Sequence, residues 1–564
     1  MEQKTPWIKN YGDIPTNLEY TDDTMWQCFL KSAEKVPDFS ALSYMGKEYS
    51  YSRVKEKIES VARAFSALGV TKGTRVAICL PNIPQAIYCL YALNILGAAA
   101  CMVHPLSAEK ELTELLSEAD CRFAVIMDSF AKKFGDAQKN LPQIRYIVTD
   151  AAECLGIKSA LYKLLKGRKL KHTYPAKSIT WKSFIKGGKN KKTPTAVKAD
   201  KSRPAVILFS GGTTGVPKAI ALSDFNVNAM GAQINAVDRN NMRGNRTLAV
   251  LPIFHGFGLG VCIHSPLYNC GTSVLVPRAN PAEFAKLLES TKTNVLAAVP
   301  SLLEALTRNP YKPDLSRLLA VYSGGDSMSV SLKQKLNAYL KENGAKIKVQ
   351  EGYGATECFA ASCLTPYFSN KVEGIGFPLP DMLFKICSPD TREELPYNTD
   401  GEICVSGPTV MLGYLGHSEE NAKALQRHAD GKMWLHTGDM GCMDEDGCVY
   451  FRQRIKRMII TNGYNVYPAR IEQILESHPK VRQSCVIGVA DPKKIQRVKA
   501  FAVTEKEGYA TEELKAELFE YCKKHIAKYA LPTEIEFRKE LPKTKLNKTD
   551  YKALEAESAV NKNT

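Results

Sequence analysis

The chain has 564 residues, of which 44% are apolar, 24% charged and 9% aromatic. That composition excludes a collagenous, low-complexity or wholly disordered protein, and the length calls for two or more folding units. Lys and Arg number 76 against 59 Asp and Glu, a surplus of +17. Twelve of those basic residues fall between Lys158 and Lys192 with no acidic residue among them, leaving +5 for the rest. A charge confined to one run argues against a nucleic-acid partner, and neither zinc-finger spacing nor a basic–aromatic RNA motif is present.

In chain order, Val54, Ile58, Val61, Ala62, Phe65 and Leu68 recur at helical spacing. Arg75 to Leu80 is a short apolar run ending at Pro81. Ala86 to Val103 is 18 residues with Asn94 as its clearly polar member, which by length alone could span a membrane. Gly97 and the flanking Pro84 and Pro105 divide it instead into a buried helix to Leu96 and a buried strand. Glu109 to Ala119 is helical, and Phe123 to Met127 a further apolar strand. Helices alternating with apolar strands predict a parallel sheet covered on both faces, the α/β class.

Residues 155 to 202 interrupt that rhythm. They read as a solvated connection, with a basic amphipathic turn at an anionic membrane surface as the alternative. The rhythm resumes from Ala205 to about Leu340. Residues 372 to 452 predict a β-rich subdomain. A smaller α+β unit follows, with strands at 484–489, 500–503 and 534–537 and a helix at 512–526. The domains are therefore set at 1–453 and 454–564. The sixteen Cys form no CxxC pair and the His show no metal spacing. Buried free thiols in a reducing cytoplasm are expected, with peripheral contact at the inner membrane surface left open through 158–192. The start, MEQKTPWIKN, lacks the apolar core of a secretory signal.

The most informative segment runs from Ile207 to Lys218. An apolar strand leads into Ser210-Gly211-Gly212-Thr213-Thr214-Gly215 and ends at Lys218. Glycines let backbone amides approach an anion, and hydroxyls donate to phosphate oxygens. Val216-Pro217 stand where a Walker A loop has its second Gly. Downstream lie Pro252 to Gly258 with His255, Ser323-Gly324-Gly325-Asp326, Gly352-Tyr353-Gly354-Ala355-Thr356-Glu357, and Trp434 to Asp439. Arg452-Gln453-Arg454-Ile455-Lys456, Gly463 to Pro468 and Leu541 to Lys548 follow.

In content and order these segments resemble the adenylate-forming superfamily of acyl-CoA synthetases, adenylation domains and luciferases, over about residues 24–552. The resemblance implies a large N-terminal domain and a small mobile C-terminal domain turning about Lys456. It implies that Ser210, Thr213, Thr214 and Lys218 meet the ATP phosphates, and that Gly324, Gly325 and Tyr353 border adenine. Asp439 and Arg454 would hold ribose, Thr356 a phosphate or the acyl carbonyl, and Glu357 a Mg²⁺ ion. Lys548 would bridge carboxylate and nucleotide, and Gly463 would approach the CoA arm.

Three departures stand out: Gln453 and Asn547 for Gly, and Gln496-Arg497 for Gly-Glu. His255 replaces the neighbourhood of the Asp that pairs a substrate ammonium in amino-acid-activating members, so a carboxylic acid without an α-amine is expected. The resulting expectation is ATP-dependent activation of a medium- or long-chain fatty acid, then thioester formation with CoA. Activation of an aryl acid, loading of a carrier protein in trans, and a non-catalytic scaffold remain the alternatives.

Overall fold

The computed structural model describes residues 5–155, 174–210, 217–238, 242–369, 373–389, 391–461, 464–491, 495–544 and 548–560. Two large sheets form the body of the first domain. In the eight-stranded sheet, Pro204–Phe209, Ala99–Met102, Arg75–Cys79, Phe123–Met127, Arg145–Thr149 and Ile179–Thr180 run parallel in that order. Ala219–Ser223 and Gly413–Tyr414 extend it antiparallel.

The nine-stranded sheet has a parallel centre: Val349–Tyr353, Ala320–Ser323, Val295–Ala298, Arg246–Ala249, Thr272–Leu275 and Ser40–Tyr44. Its strands read VLAA, AVYS and SALSY, nearly all buried, as a sheet covered on both faces requires. The predicted α/β class is therefore observed.

The 18-residue apolar stretch resolves as its punctuation predicts. Helix Pro84–Leu96 is buried on every face, Gly97 caps it at φ +69°, and strand Ala99–Met102 follows. Among the described residues no helix is long and apolar enough to cross a membrane. The helix's polar member, Asn94, accepts from Trp26 N–H at 2.9 Å and donates to Asp224 at 2.6 Å. Asp224 also accepts from Met25 N–H and pairs with Arg203 at 2.6 Å, so its buried carboxylate is held between the helices that start at Met25 and Asp224.

The basic segment departs from its reading as one long connection. Residues 156–173 lie outside the described part. Beyond them, Trp181–Gly188 is a helix capped by Thr180. Its Trp181 and Phe184 are buried, with the Phe184 ring 4.9 Å from that of Phe65. Period-3 apolar residues within a lysine-rich run anchor it to helix Tyr51–Ala67, while Lys182 and Lys186 remain exposed.

The predicted β-rich region is a five-stranded antiparallel sheet. It comprises Leu383–Cys387, Gly401–Ser406, Met433–Met443, Leu425–Arg427 and Val449–Arg454. The C-terminal unit carries its own sheet and core, with Val481–Asp491 and Ile495–Thr504 as a long hairpin and Glu534–Phe537 parallel beside it. The hairpin strands are longer than their apolar runs because cross-strand pairing extends through Gln483, Gln496 and Arg497.

Candidate active site

The C-terminal ends of parallel strands are where an open α/β sheet leaves a crevice, because the chain turns away there into helices. Four consecutive strands of the nine-stranded sheet end in candidate segments. Arg246–Ala249 leads to Pro252–His255, Val295–Ala298 to Val299–Pro300, Ala320–Ser323 to Gly324–Asp326, and Val349–Tyr353 to Gly354–Glu357. All four line one cleft of about 2060 Å³, together with Ser210 and Lys218 at the end of Pro204–Phe209. Its opposite side is formed by Asp439, Arg454, Lys456 and Lys548. Segments up to 340 residues apart in sequence thus meet in one space.

Backbone conformation shows how tightly these turns are set. A Cβ on Gly354 would lie 1.7 Å from the Ala360 carbonyl oxygen, so no other residue fits there. Gly325 has φ +82°. Ala360, a few residues past Glu357, has φ +86°, a conformation rare outside Gly that the surrounding packing must hold.

Asp439 is the buried centre of the nucleotide side. Its carboxylate accepts from the Tyr353 hydroxyl at 2.6 Å and lies 2.7 Å from Arg454 Nε. Burial raises its pKa, and Arg454 opposes that rise. The Tyr353 ring is held 6.0 Å from Phe451 and 6.5 Å from Phe384. Gln453, beside Arg454, has a buried amide with neither polar atom hydrogen-bonded, though it borders the cleft. An unpaired buried amide costs on the order of 1–3 kcal/mol, so a ligand able to bond it would recover that loss.

On the phosphate side, Ser210 and Lys218 close the base of the loop. Ser210 Oγ accepts from Lys218 N–H at 3.1 Å, and Ser210 N–H donates to Lys218 C=O at 3.1 Å. Thr213 and Thr214 lie outside the described residues. Lys218 Nζ lies 4.9 Å above the Tyr414 ring and 3.6 Å from Glu420. Tyr414 in turn donates its hydroxyl to Glu357 at 3.0 Å. Sequence reading missed Tyr414, which sits in a two-residue strand with no period to mark it. Thr356 starts a short 3₁₀ turn, Thr356–Cys358, and Glu357 sits in that turn.

Lys548 reaches the same cleft from the small domain. Burial lowers its pKa, with Asp326 acting against the shift and Arg454 with it. The His255 pKa falls to about 4, through burial first and the nearby Lys548 charge second. His255 is therefore neutral at pH 7, able to donate or accept one hydrogen bond but not to offset charge. Helix turns of π type follow it over Gly258–His264. There the buried His264 accepts from Tyr91 OH at 3.0 Å and donates to Asn228 at 3.1 Å, a structural role.

Between the domains, strand Val449–Arg454 stays in the large domain's sheet through the Asp439–Arg454 pair. Arg452 Nε bonds Asp400 at 3.0 Å on that side, whereas Arg457 bonds Glu472 at 2.6 Å in the small domain. Lys456 lies between these anchors, in the turn Ile455–Arg457. Gly463 lies outside the described residues.

The match to known proteins follows the same division. Residues 29–415 match the family model described as AMP-binding enzyme, and residues 470–548 match the AMP-binding enzyme C-terminal domain. The chain belongs to the AMP-binding enzyme family. It is 33% identical to the long-chain-fatty-acid–CoA ligase of Bacillus subtilis (strain 168), with 97% of each chain covered. It is 30% identical to a probable 4-coumarate–CoA ligase of Dictyostelium discoideum, with 91% of each covered. Among solved structures, ATP-bound MatB from Rhodopseudomonas palustris superimposes with TM-score 0.81 at 23% identity, covering 94% of this chain and 98% of that one. The anthranilate CoA ligase AuaEII with anthranoyl-AMP gives 0.80 at 22%, covering 98% and 100%. These two establish the fold of this family member.

Proposed function

We propose that this AMP-binding enzyme is an acid–CoA ligase that activates a medium- or long-chain fatty acid through its acyl-adenylate. The observation that carries the reading is the seating of Lys548, from the small domain, in the cleft that holds Asp439, Tyr353, Lys218 and Glu357. A carboxylate attacking the α-phosphate brings two anions together, and fixed cations must offset that repulsion in the transition state. Lys548 and Lys218 supply the charge. Thr213, Thr214 and Thr356 supply donors, and Asp439 with Arg454 receives the ribose.

The donor set also fits a Mg²⁺ ion. Glu357 spends one carboxylate oxygen on Tyr414 and has another to offer, and a hard cation of this size usually takes one or two carboxylates and completes its shell with phosphates and water. When bound, such an ion adds positive charge at the phosphates. Pyrophosphate leaves, and the adenylate remains between Asp439 and His255. In the second step the CoA thiol attacks the acyl carbonyl and AMP departs, so no protein nucleophile is required. A turn of the small domain about Lys456 would withdraw Lys548 and bring the Gly463 segment to the CoA arm.

The acid is inferred from the inner wall of the cleft, where Ile234, Val261, Leu364, Ile375 and Leu379 present apolar surface. The likeness to the B. subtilis fatty-acid ligase over nearly the whole chain supports the same acid class, and the 4-coumarate ligase likeness keeps an aryl acid as the second reading. Carboxylate-dependent ATP–pyrophosphate exchange over a panel of fatty and aryl acids, with AMP release on adding CoA, tests it. Exchange with fatty acids and CoA-dependent AMP release are expected. Exchange with aryl acids alone would replace the acid class. Turnover with a carrier protein but not CoA would replace the acceptor. Absence of exchange with every acid would leave a non-catalytic scaffold.

A further inference from the structure

The β-rich subdomain carries a group of side chains that the adenylation chemistry does not use. Glu402, Cys404 and His436 offer three ligand atoms that all lie within 4.8 Å of one another. His436 Nδ1 is 2.7 Å from Glu402 Oε2 and 3.5 Å from Cys404 Sγ. Cys404 and His436 are direct cross-strand partners between Gly401–Ser406 and Met433–Met443. On the neighbouring strand Cys387 is the direct cross-strand partner of Glu402. Cys387 and Cys404 are fully buried, and the side chains of Glu402 and His436 are close to it.

We propose that Cys404, His436 Nδ1 and Glu402, with water in the fourth position, form a tetrahedral binding site for a borderline-soft divalent cation, Zn²⁺ by its ligand set. Zn–N near 2.0–2.1 Å and Zn–S near 2.3 Å place neighbouring ligand atoms of a tetrahedron about 3.3–3.8 Å apart. The Cys404–His436 separation already matches. Glu402 needs only to retreat from a direct hydrogen bond. The mixed thiolate, imidazole and carboxylate set disfavours Mg²⁺ and Ca²⁺, which take oxygen.

Three further features suit a metal. The other ring nitrogen, His436 Nε2, is 3.0 Å from His428 Nε2, so with metal on Nδ1 it donates its proton there and fixes the tautomer. The direct cross-strand pairing of Cys404 with His436 holds two of the ligands side by side without metal. Glu402 and His436 border the large cleft, which provides an entry path. Binding would expel the Cys404 thiol proton, while the single imidazole proton moves from Nδ1 to Nε2. The second Glu402 oxygen accepts from Gly438 N–H at 2.9 Å, one residue before Asp439, which ties the cation to the strand that presents the ribose carboxylate.

The test is titration of the full chain, reduced and stripped with a chelator, with Zn²⁺ against a chromophoric competitor and with Co²⁺ by absorbance. One equivalent of Zn²⁺ is expected, with Kd below about 1 μM. Co²⁺ should give a thiolate charge-transfer band and intense tetrahedral d–d bands. Cys404→Ser and Glu402→Gln should each weaken Zn²⁺ at least about 100-fold, and His428→Phe by about 10-fold. Weak octahedral cobalt bands without charge transfer in the unaltered chain would overturn the site, even if a variant failed to fold. So would one-equivalent binding that Cys404→Ser leaves unchanged, since the other thiols would then account for it.

Discussion

Replacing Lys548 with Ala separates the two half-reactions. The side chain is buried in the cleft beside Arg454 and near the neutral His255, with Asp326 facing it. Removing it takes one charge-assisted donor from the step in which two anions approach. Loss of one such preorganised donor costs about 3–4 kcal/mol, or about 10²–10³ in rate. Burial by the surrounding protein, with the Arg454 charge acting the same way, puts its pKa below the ordinary 10.5 in the free enzyme.

A lysine with a lowered pKa is charged at low pH and loses its proton early as pH rises. Bound phosphates would raise the value again. The basic limb of kcat/KM, which reports the free enzyme, should therefore lie at lower pH than the basic limb of kcat. The assay is acyl-adenylate formation by rapid quench, beside thioester formation from supplied acyl-adenylate. Lys548→Ala should lose the first and keep the second within about threefold, with the lower basic limb abolished. Equal losses in both halves would refute the assignment of Lys548 to adenylation.

Lys456→Pro stiffens the turn between the Arg452 and Arg457 anchors. Thioester formation should fall at least about tenfold while adenylation changes little, and unimpaired thioester formation would remove Lys456 from the hinge. Arg203→Leu leaves the Asp224 carboxylate buried without its cation, and urea unfolding should show a loss of about 3–5 kcal/mol. A loss below about 1 kcal/mol would mean that Asn94 and the Met25 amide suffice. Burial lifts the Glu476 pKa to about 8. The folded state then holds a proton that the unfolded chain, near 4.5, has released, so the contribution of this group to stability is greatest below about pH 4.5 and is lost as pH rises to about 8. Glu476→Gln should flatten that decline, on the order of 5 kcal/mol, in denaturant midpoints across pH.

Local features of the fold were legible where punctuation was strong. Gly97 between two prolines split the apolar stretch correctly, and the helix from Glu512 ends within a residue of its expected limit. Sheet membership was not legible. Ser40–Tyr44 joins the nine-stranded sheet beside Thr272–Leu275, a partner more than 200 residues away that no local pattern names. At the site, Asp439, Tyr353, Thr356 and Glu357 are singled out by the resemblance of their motifs, in order, to those of the adenylate-forming family, and they line one cleft. Tyr414 could not be found, because its contact to Glu357 exists only after two sheets have packed. The lysine-rich segment misled for another reason. Its charge is high, but charge on one helical face says nothing of the opposite face, and within Trp181–Gly188 the buried Trp181 and Phe184 make that stretch a packed helix.

On the proposed mechanism, the interface between the domains lets one cleft serve two reactions. Arg308 of the large domain meets Glu505 of the small one at 3.7 Å, with both side chains more than a third exposed. A pair of that kind contributes about 0–1 kcal/mol and is screened by salt. Glu476, on the small domain's helix Pro468–Glu476, feels the Glu304 charge of the large domain and stays protonated at neutral pH. Ionising it would set two carboxylates against each other across the boundary. The docked arrangement therefore combines a weak ion pair with a latent repulsion, while Lys548 is drawn into the cleft chiefly by what the cleft holds. On the proposed mechanism, departure of pyrophosphate removes the largest charge attracting Lys548, and the exposed Arg308–Glu505 pair offers little resistance to rotation. A strongly hydrophobic or densely ion-paired interface would have trapped the enzyme after its first step.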